Sequence, residues 1–233
     1  TFLDYLKGFS FTGDLWAMPE GTVAFPNEPL LRIKTKRNEA LLIETALSMF
    51  LNHESLIATR ASRIRWVAGK DFLMEFGLRR AQGADASVYG ARAAIIGGFD
   101  ATSNVLAGQM FDIKVVGTMA HSWVMSFDNE LTAFREYARY YPNNIILLVD
   151  TYDTLSSGIP NAIKLFTELR KQNKLGENCK YGIRLDSGDL AYLSKQARKM
   201  LDAADFPKAS ITASNDLDEN LETELKTQGA KID

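Results

Sequence analysis

The chain carries one cysteine, Cys179, and two histidines, His53 and His121, in 233 residues. A lone cysteine excludes an internal disulfide and fits a reducing, cytoplasmic setting. No run of about 18 apolar residues occurs, so no transmembrane helix is expected, and no signal peptide is visible. Neither a Walker-type loop nor G-x-G-x-x-G is present, which argues against an ordinary P-loop or dinucleotide-binding domain. Neither sign of charge prevails: 27 Lys and Arg against 29 Asp and Glu leave a net charge of −2. Such a balance offers no global attraction to nucleic acid or to an anionic membrane, so any phosphate binding has to be local. The chain also lacks an initiating methionine and opens in mid-pattern at Thr1, as a processed or excerpted piece would.

What is present is ordinary for a soluble globular protein, with 46% hydrophobic and 24% charged residues. The length suits one β/α-barrel-type domain, or one with a small module attached. We read residues 1–52 as a strand-rich N-terminal module plus a connecting helix. Phe2, Leu3, Tyr5 and Leu6 suggest a short amphipathic helix. Leu15–Met18, Thr22–Phe25 and Leu30–Ile33 read as three short strands punctuated by Pro19, Gly21, Pro26 and Pro29. Apolar positions 43, 46, 47, 50 and 51 then define a helix ending near Asn52, with His53 at its end and a second helix over 54–68.

From residue 71 the rhythm becomes strand then helix. Phe72–Phe76 is a candidate strand, followed by a helix over 85–96 that Gly97-Gly98 stops. Thr102-Ser103-Asn104 can cap the helical stretch Val105–Phe111. Val115-Val116 lead into Gly117-Thr118 as a short buried strand, and a helix is expected over 130–140. Ile145–Asp150 is the strongest strand signal, apolar on both faces as a doubly covered parallel strand must be. Pro160 opens a helix, Tyr181–Asp186 forms a strand, Asp189 opens the next helix, and Ala209–Ser214 forms another strand before a helix over 217–228. Gly229–Asp233 looks like the start of one more strand. About six strands of a barrel are counted, too few to close it, so residues 53–233 are read as a partial β/α barrel and sequence is expected beyond Asp233.

The polar residues fall at telling positions in this repeat. Phe76 with Arg79, Thr118 with His121, Asp150 with Asp153, Arg184 with Asp186, and Ser214 each stand at or just past the carboxyl end of a separate predicted strand. In a barrel those ends share one face, where ligands bind. Each has a plainer reading: Asp150 and Asp186 as helix caps, the Arg79-Arg80 pair as surface charge, His121 as a satisfied histidine beside Trp123. Together they suggest a phosphorylated substrate, with arginines for anionic groups and spaced carboxylates for hydrated Mg²⁺.

Four ordered blocks carry a resemblance: Glu75-Phe76-Gly77-Leu78-Arg79-Arg80-Ala81-Gln82-Gly83, Gly117-Thr118-Met119-Ala120-His121-Ser122, Leu148-Val149-Asp150-Thr151-Tyr152-Asp153-Thr154 and Arg184-Leu185-Asp186-Ser187-Gly188-Asp189-Leu190. With Glu20–Val23, Glu28–Leu31 and Leu56–Thr59, the chain resembles the nicotinate phosphoribosyltransferase family over nearly its whole length. The resemblance implies an incomplete TIM-like β/α barrel of the type II phosphoribosyltransferase kind, lacking sequence at both ends. It implies transfer of the 5-phosphoribosyl group from phosphoribosyl pyrophosphate to nicotinate, with Mg²⁺, in NAD salvage, coupled to ATP hydrolysis through a phosphohistidine at His121. It also implies that Phe76 stacks on the pyridine ring, while Arg79 and Thr118 place its carboxylate. Arg184 and Asp186 would contact the phosphoribosyl donor and the ring, with Asp186 catalytic beside His121 and Asp150 on the pyrophosphate and metal side. The metal ligands stay unassigned.

Related nicotinamide enzymes have an Asp where this chain has Ser103, and a neutral residue there favours the acid over the amide. The family's ribose 5-phosphate segment is expected beyond residue 233, and an aromatic that crosses its dimer interface is expected before Thr1. A cytoplasmic homodimer with shared active sites, and no nucleic-acid or membrane partner, completes the expectation. The competing readings are a nicotinamide or quinolinate phosphoribosyltransferase, or an inactive ligand-binding fragment.

Overall fold

The structure is a computed structural model that describes residues 1–176 and 179–233. It is a mixed α/β chain that divides into two compact units, one of residues 1–65 and 73–115, the other of residues 66–72 and 116–233.

The first unit opens with α1 (Phe2–Lys7), where Thr1 and Asp4 form a capping box. Strands β1 (Asp14–Ala17) and β2 (Leu31–Lys34) pair antiparallel, with Leu15 opposite Ile33. The expected strand at Thr22–Phe25 does not form. Its β propensity finds no ladder: the Thr22 N–H donates to the Pro19 carbonyl in a turn, and the Phe25 N–H donates to the Glu28 carboxylate. The two helices expected around His53 are one helix, α2 (Arg37–Ala68), so residue 52 lies inside an element. Neither Gly nor Pro interrupts Asn52-His53-Glu54, and nothing local ends the hydrogen-bond ladder. Helix α3 (Ala84–Ile96) packs tightly on it: a Cβ at Gly97 would stand 2.5 Å from the Ala58 carbonyl oxygen and 2.6 Å from the Ala61 Cβ.

Strands β3 (Met74–Glu75) and β4 (Ala101–Thr102) pair in parallel, and Asn104 caps α4 (Val105–Phe111) as expected. The Thr102-Ser103 stretch thus begins as a strand rather than serving only as a cap. The buried strand expected at Val115-Val116 is a single bridge from Val115 to Thr102, and Val115 is exposed. Beyond that bridge the chain finds no neighbouring strand to continue a ladder.

The second unit is built on a three-stranded parallel sheet, β5 (Asn144–Leu148), β6 (Lys180–Leu185) and β7 (Ser210–Ala213), in the order 5-6-7. Before it come α5 (His121–Met125) and α6 (Glu130–Tyr140); α7 (Ile159–Lys171), α8 (Leu190–Ala203) and α9 (Glu219–Thr227) follow the strands in turn. Helix α7 has Pro160 in its first turn, and Asp189 caps α8 by accepting the Tyr192 N–H at 2.9 Å. The doubly covered character of β5 is realised, since Ile145, Leu147, Leu148 and the following Val149 are all buried. Phe134, Phe166, Phe206, Ile183 and Ile211 complete the core, each contributing roughly 1.5–3 kcal/mol by leaving water. At Gly182 a side chain would run into Ser210, which lets β6 and β7 lie flush. Gly229–Asp233 is not a strand, although the Asp233 N–H donates to the Ile211 carbonyl at 3.0 Å.

Among the described residues the strands therefore fall in sheets of two, two and three. No helix among the described residues is long and apolar enough to cross a membrane.

Candidate active site

The parallel sheet of the second unit ends where its polar residues begin. Strand β5 stops at Leu148, and Asp150 follows two residues later; β6 stops at Leu185 and delivers Arg184, Asp186 and Ser187; β7 stops at Ala213, before Ser214. These positions follow from the register, which sets Leu148 beside Arg184 and Leu185 beside Ala213.

Asp150 is the hub of one cluster. Its side chain is 2% exposed and accepts three hydrogen bonds: from His121 Nε2 at 3.1 Å on one oxygen, and from the Asp186 N–H at 2.8 Å and Ser187 Oγ at 2.6 Å on the other. A carboxylate accepts, so the His121 ring nitrogen that faces it is the one that donates, Nε2–H. The His121 side chain is 38% exposed, which keeps the imidazole within reach of a ligand. Its place as the first residue of α5, after the Ala120 N-cap, fixes the backbone from which it projects.

Arg184 is the hub of the other. Its Nε donates to Ser214 Oγ at 2.9 Å, Nη1 donates to Thr118 Oγ1 and to the Met119 carbonyl at 3.2 Å, and Nη2 lies 3.0 Å from Asp186 Oδ1. Ser214 Oγ in turn donates to Asp186 Oδ1. The guanidinium is thus committed to protein acceptors on three sides, and it ties the loop before His121 to the ends of β6 and β7. Burial pushes the Asp186 carboxyl up, but the Ser214 hydroxyl, the Arg184 guanidinium and the His121 imidazole outweigh it and hold the group below the usual carboxylate range.

Five sequence-predicted residues, Thr118, His121, Asp150, Arg184 and Asp186, are therefore joined by direct hydrogen bonds or by one shared partner. Ser187 was legible only as part of a helix cap, yet it holds Asp150.

Phe76, Arg79 and Ser103 belong to the first unit. Phe76 and Ser103 follow β3 and β4 in adjacent register, and the Ser103 N–H donates to the Glu75 carbonyl at 3.0 Å. Arg79 is exposed in the short 3₁₀ turn Leu78–Arg80. Ser103 lines a cavity of about 450 Å³ together with Leu78, Gly83, Ser87 and Asn104. Sequence reasoning passed over Glu75, whose carboxylate accepts from Thr102 Oγ1 at 2.6 Å and from the Gly77 N–H, fixing the turn that carries Phe76.

The second unit is, by fold and site, an α/β unit of the kind that binds its ligand beyond the carboxyl ends of parallel strands. Comparison with known proteins identifies the family. Residues 1–52 match the model of the nicotinate phosphoribosyltransferase N-terminal domain, and residues 72–223 match that of the nicotinate phosphoribosyltransferase family. The chain belongs to the nicotinate phosphoribosyltransferase family. It is 54% identical to the nicotinate phosphoribosyltransferase of Bacillus subtilis over 94% of this chain and 43% of that protein. It is 39% identical to nicotinate phosphoribosyltransferase 1 of Arabidopsis thaliana over 100% of this chain and 51% of that protein, so the chain spans about half the length of such relatives.

Its fold is similar to the crystal structure of human nicotinic acid phosphoribosyltransferase, with TM-score 0.88 and 31% identity over 99% of this chain and 56% of that one. It is also similar to the nicotinate-nucleotide pyrophosphorylase of Pyrococcus furiosus, with TM-score 0.78 and 30% identity over 96% and 56% of the two chains.

Proposed function

We propose that this chain supplies catalytic residues for transfer of the 5-phosphoribosyl group from phosphoribosyl pyrophosphate to the ring nitrogen of nicotinate, giving nicotinate mononucleotide and pyrophosphate in NAD salvage. ATP hydrolysis is coupled to this transfer through His121. The observation that carries the reading is the His121–Asp150 hydrogen bond beside the Arg184–Asp186 pair, in a chain of this family.

The chemistry follows from the hydrogen bonds. With Nε2–H held by Asp150, His121 Nδ1 is the nucleophilic nitrogen and attacks the γ-phosphorus of ATP. The N–P bond forms as the bond to the ADP oxygen breaks, and ADP leaves. The imidazole becomes positively charged, and the buried Asp150 carboxylate stabilises it. Transfer of the phosphoryl group to water later yields orthophosphate and restores the imidazole. At the ribosyl centre the C1–O bond to pyrophosphate breaks as the C1–N bond to nicotinate forms, through an oxocarbenium-like state. Asp186, held ionised by its partners, lends that state negative charge.

In the first unit Phe76 is assigned to the face of the pyridine ring, Arg79 to its carboxylate and Ser103 to discrimination against the amide. In the second unit Thr118 and Arg184 are assigned to the substrates beside Asp186. The barrel architecture, the cytoplasmic location and the homodimer with shared active sites belong to this same reading.

The residues do not build a site for a resident Mg²⁺. Among the described residues no three His, Cys, Asp or Glu side chains are placed so that they could hold a metal ion, and both Asp150 oxygens already have protein donors. The Mg²⁺ that the resemblance implies therefore fits as an ion carried by pyrophosphate oxygens and water, which neutralises the leaving group.

The test is product formation by the native protein with phosphoribosyl pyrophosphate and Mg²⁺, offering nicotinate, nicotinamide or quinolinate, with and without ATP, beside His121→Ala. The reading expects nicotinate alone to react and the ATP response to vanish in the variant. Equal use of nicotinamide overturns the role of Ser103, and an intact ATP response overturns that of His121.

A further inference from the structure

Glu130, the first residue of α6, is 3% exposed and has no part in the chemistry above. Its Oε2 accepts from Ser157 Oγ at 2.7 Å and from Asn161 Nδ2 at 3.0 Å. Its Oε1 is buried without a hydrogen-bond partner among the described residues. Burying a carboxyl group with one oxygen unmet costs free energy, and the two partners it does hold indicate what it is for.

Ser157 sits in a π-type turn, Thr154–Gly158, in which the Ser157 and Gly158 N–H groups both donate to the Asp153 carbonyl, at 3.1 and 2.9 Å. Such turns recur at functional sites. Gly158 lies so close to the Val149 carbonyl that no Cβ fits there, and Val149 directly precedes Asp150. Asn161 stands in the first turn of α7. On the other side α6 packs against α5, which begins with His121. Glu130 therefore joins two segments of one unit: the helix pair that starts at His121, and the turn that leaves Asp150.

We infer that Glu130 is a positioning residue that sets the His121–Asp150 hydrogen bond by pinning the turn after Asp150 to the helix after His121. It touches neither substrate nor reacting atoms. The purpose of the device rests on the phosphohistidine reading; its geometry does not.

The experiment uses the full-length protein with ¹⁵N-labelled histidine, comparing wild type with Glu130→Ala, Glu130→Gln and Asn161→Ala. Gln keeps an acceptor oxygen for Ser157 and Asn161; Asn161→Ala removes one of the two bonds and replaces Glu130→Ala as the deciding variant should that protein not fold. The first readout is the Nε2–H signal of His121. His53 serves as internal reference, because its Nε2 faces the Ala86 carbonyl at 3.1 Å and a carbonyl can only accept. The second readout is phosphate taken up from ATP.

Glu130→Ala is expected to lose the His121 Nε2–H signal while His53 keeps its own, and to lower phosphorylation about 10- to 100-fold, by analogy with the loss of an outer partner that orients a metal-ligating histidine. Asn161→Ala should weaken both in part, and Glu130→Gln should restore both. Variants that lower Tm yet leave the His121 signal and its phosphorylation at wild-type levels overturn the inference. A wild type that takes up no phosphate, but whose His121 signal still responds to Glu130→Ala, keeps the positioning role and refutes the phosphohistidine reading instead.

Discussion

The two units of this chain solve the packing problem differently. In the second, large side chains do the work: Phe134, Phe166, Phe206 and the branched residues of β5, β6 and β7 fill a core around one parallel sheet. In the first, the buried apolar residues of α3, β4 and α4 are Val88 and a set of alanines, Ala91, Ala93, Ala94, Ala101 and Ala107. There close backbone approach at Gly97 and polar clamps replace bulk: Glu39 gathers Thr12 and Thr35, and Arg92 gathers Glu20 and Glu54. A bulky core tolerates little loss of volume, whereas a small-residue core tolerates little gain.

The sharpest contrast should come from substitutions of opposite kind. Phe166→Ala should cost the second unit about 3–5 kcal/mol, read by denaturant unfolding, because it leaves a cavity that its aromatic neighbours Tyr181 and Phe206 cannot close. A loss below about 1 kcal/mol would break the comparison. Gly97→Val should cost the first unit about 1–3 kcal/mol by forcing α3 off α2. Were that variant neutral, close approach would not be what holds the two helices.

The smallest effect concerns acid. The Thr35 hydroxyl and the Thr12 N–H hold the Glu39 carboxyl down at about 2, against burial, from an ordinary 4.5. A depressed carboxyl stabilises the fold above the unfolded value, and the contribution is lost as pH falls from 4.5 through 2. The Thr12 amide resonance should therefore move in a transition centred near pH 2. Movement centred near 4.5 would show that the clamp does not grip.

These differences also explain what could be read in advance. Asp150, Arg184 and Asp186 were legible because β5 is strongly apolar and β6 closes on Ile183 and Leu185, so hydrophobic pattern places their carboxyl ends, and because all three stand in the blocks that carry the resemblance. The first unit resisted the same reading. Val23 and Phe25 have strand propensity but no partner strand, and Val115-Val116 spend theirs on a single bridge. The continuity of α2 through His53 follows from the lack of any helix breaker at residues 52–54, whereas the close approach of α3 at Gly97 joins distant segments that no local window contains. The hydrogen bonds that commit Arg184 to Thr118, Met119 and Ser214 were equally invisible, because they join residues up to 66 positions apart. Of Glu130 the sequence offered only the start of an expected helix, where a carboxylate also suits the macrodipole.

In the function proposed above, His121, oriented by Asp150, accepts phosphate from ATP on Nδ1. The most direct measurement is ³¹P NMR of the native protein after reaction with ATP and Mg²⁺, beside Asp150→Asn. The account predicts an acid-labile, base-stable phosphoramidate resonance assigned to His121 Nδ1 that is lost or greatly reduced in the variant. Phosphate on another residue, on Nε2, or undiminished in Asp150→Asn would contradict it.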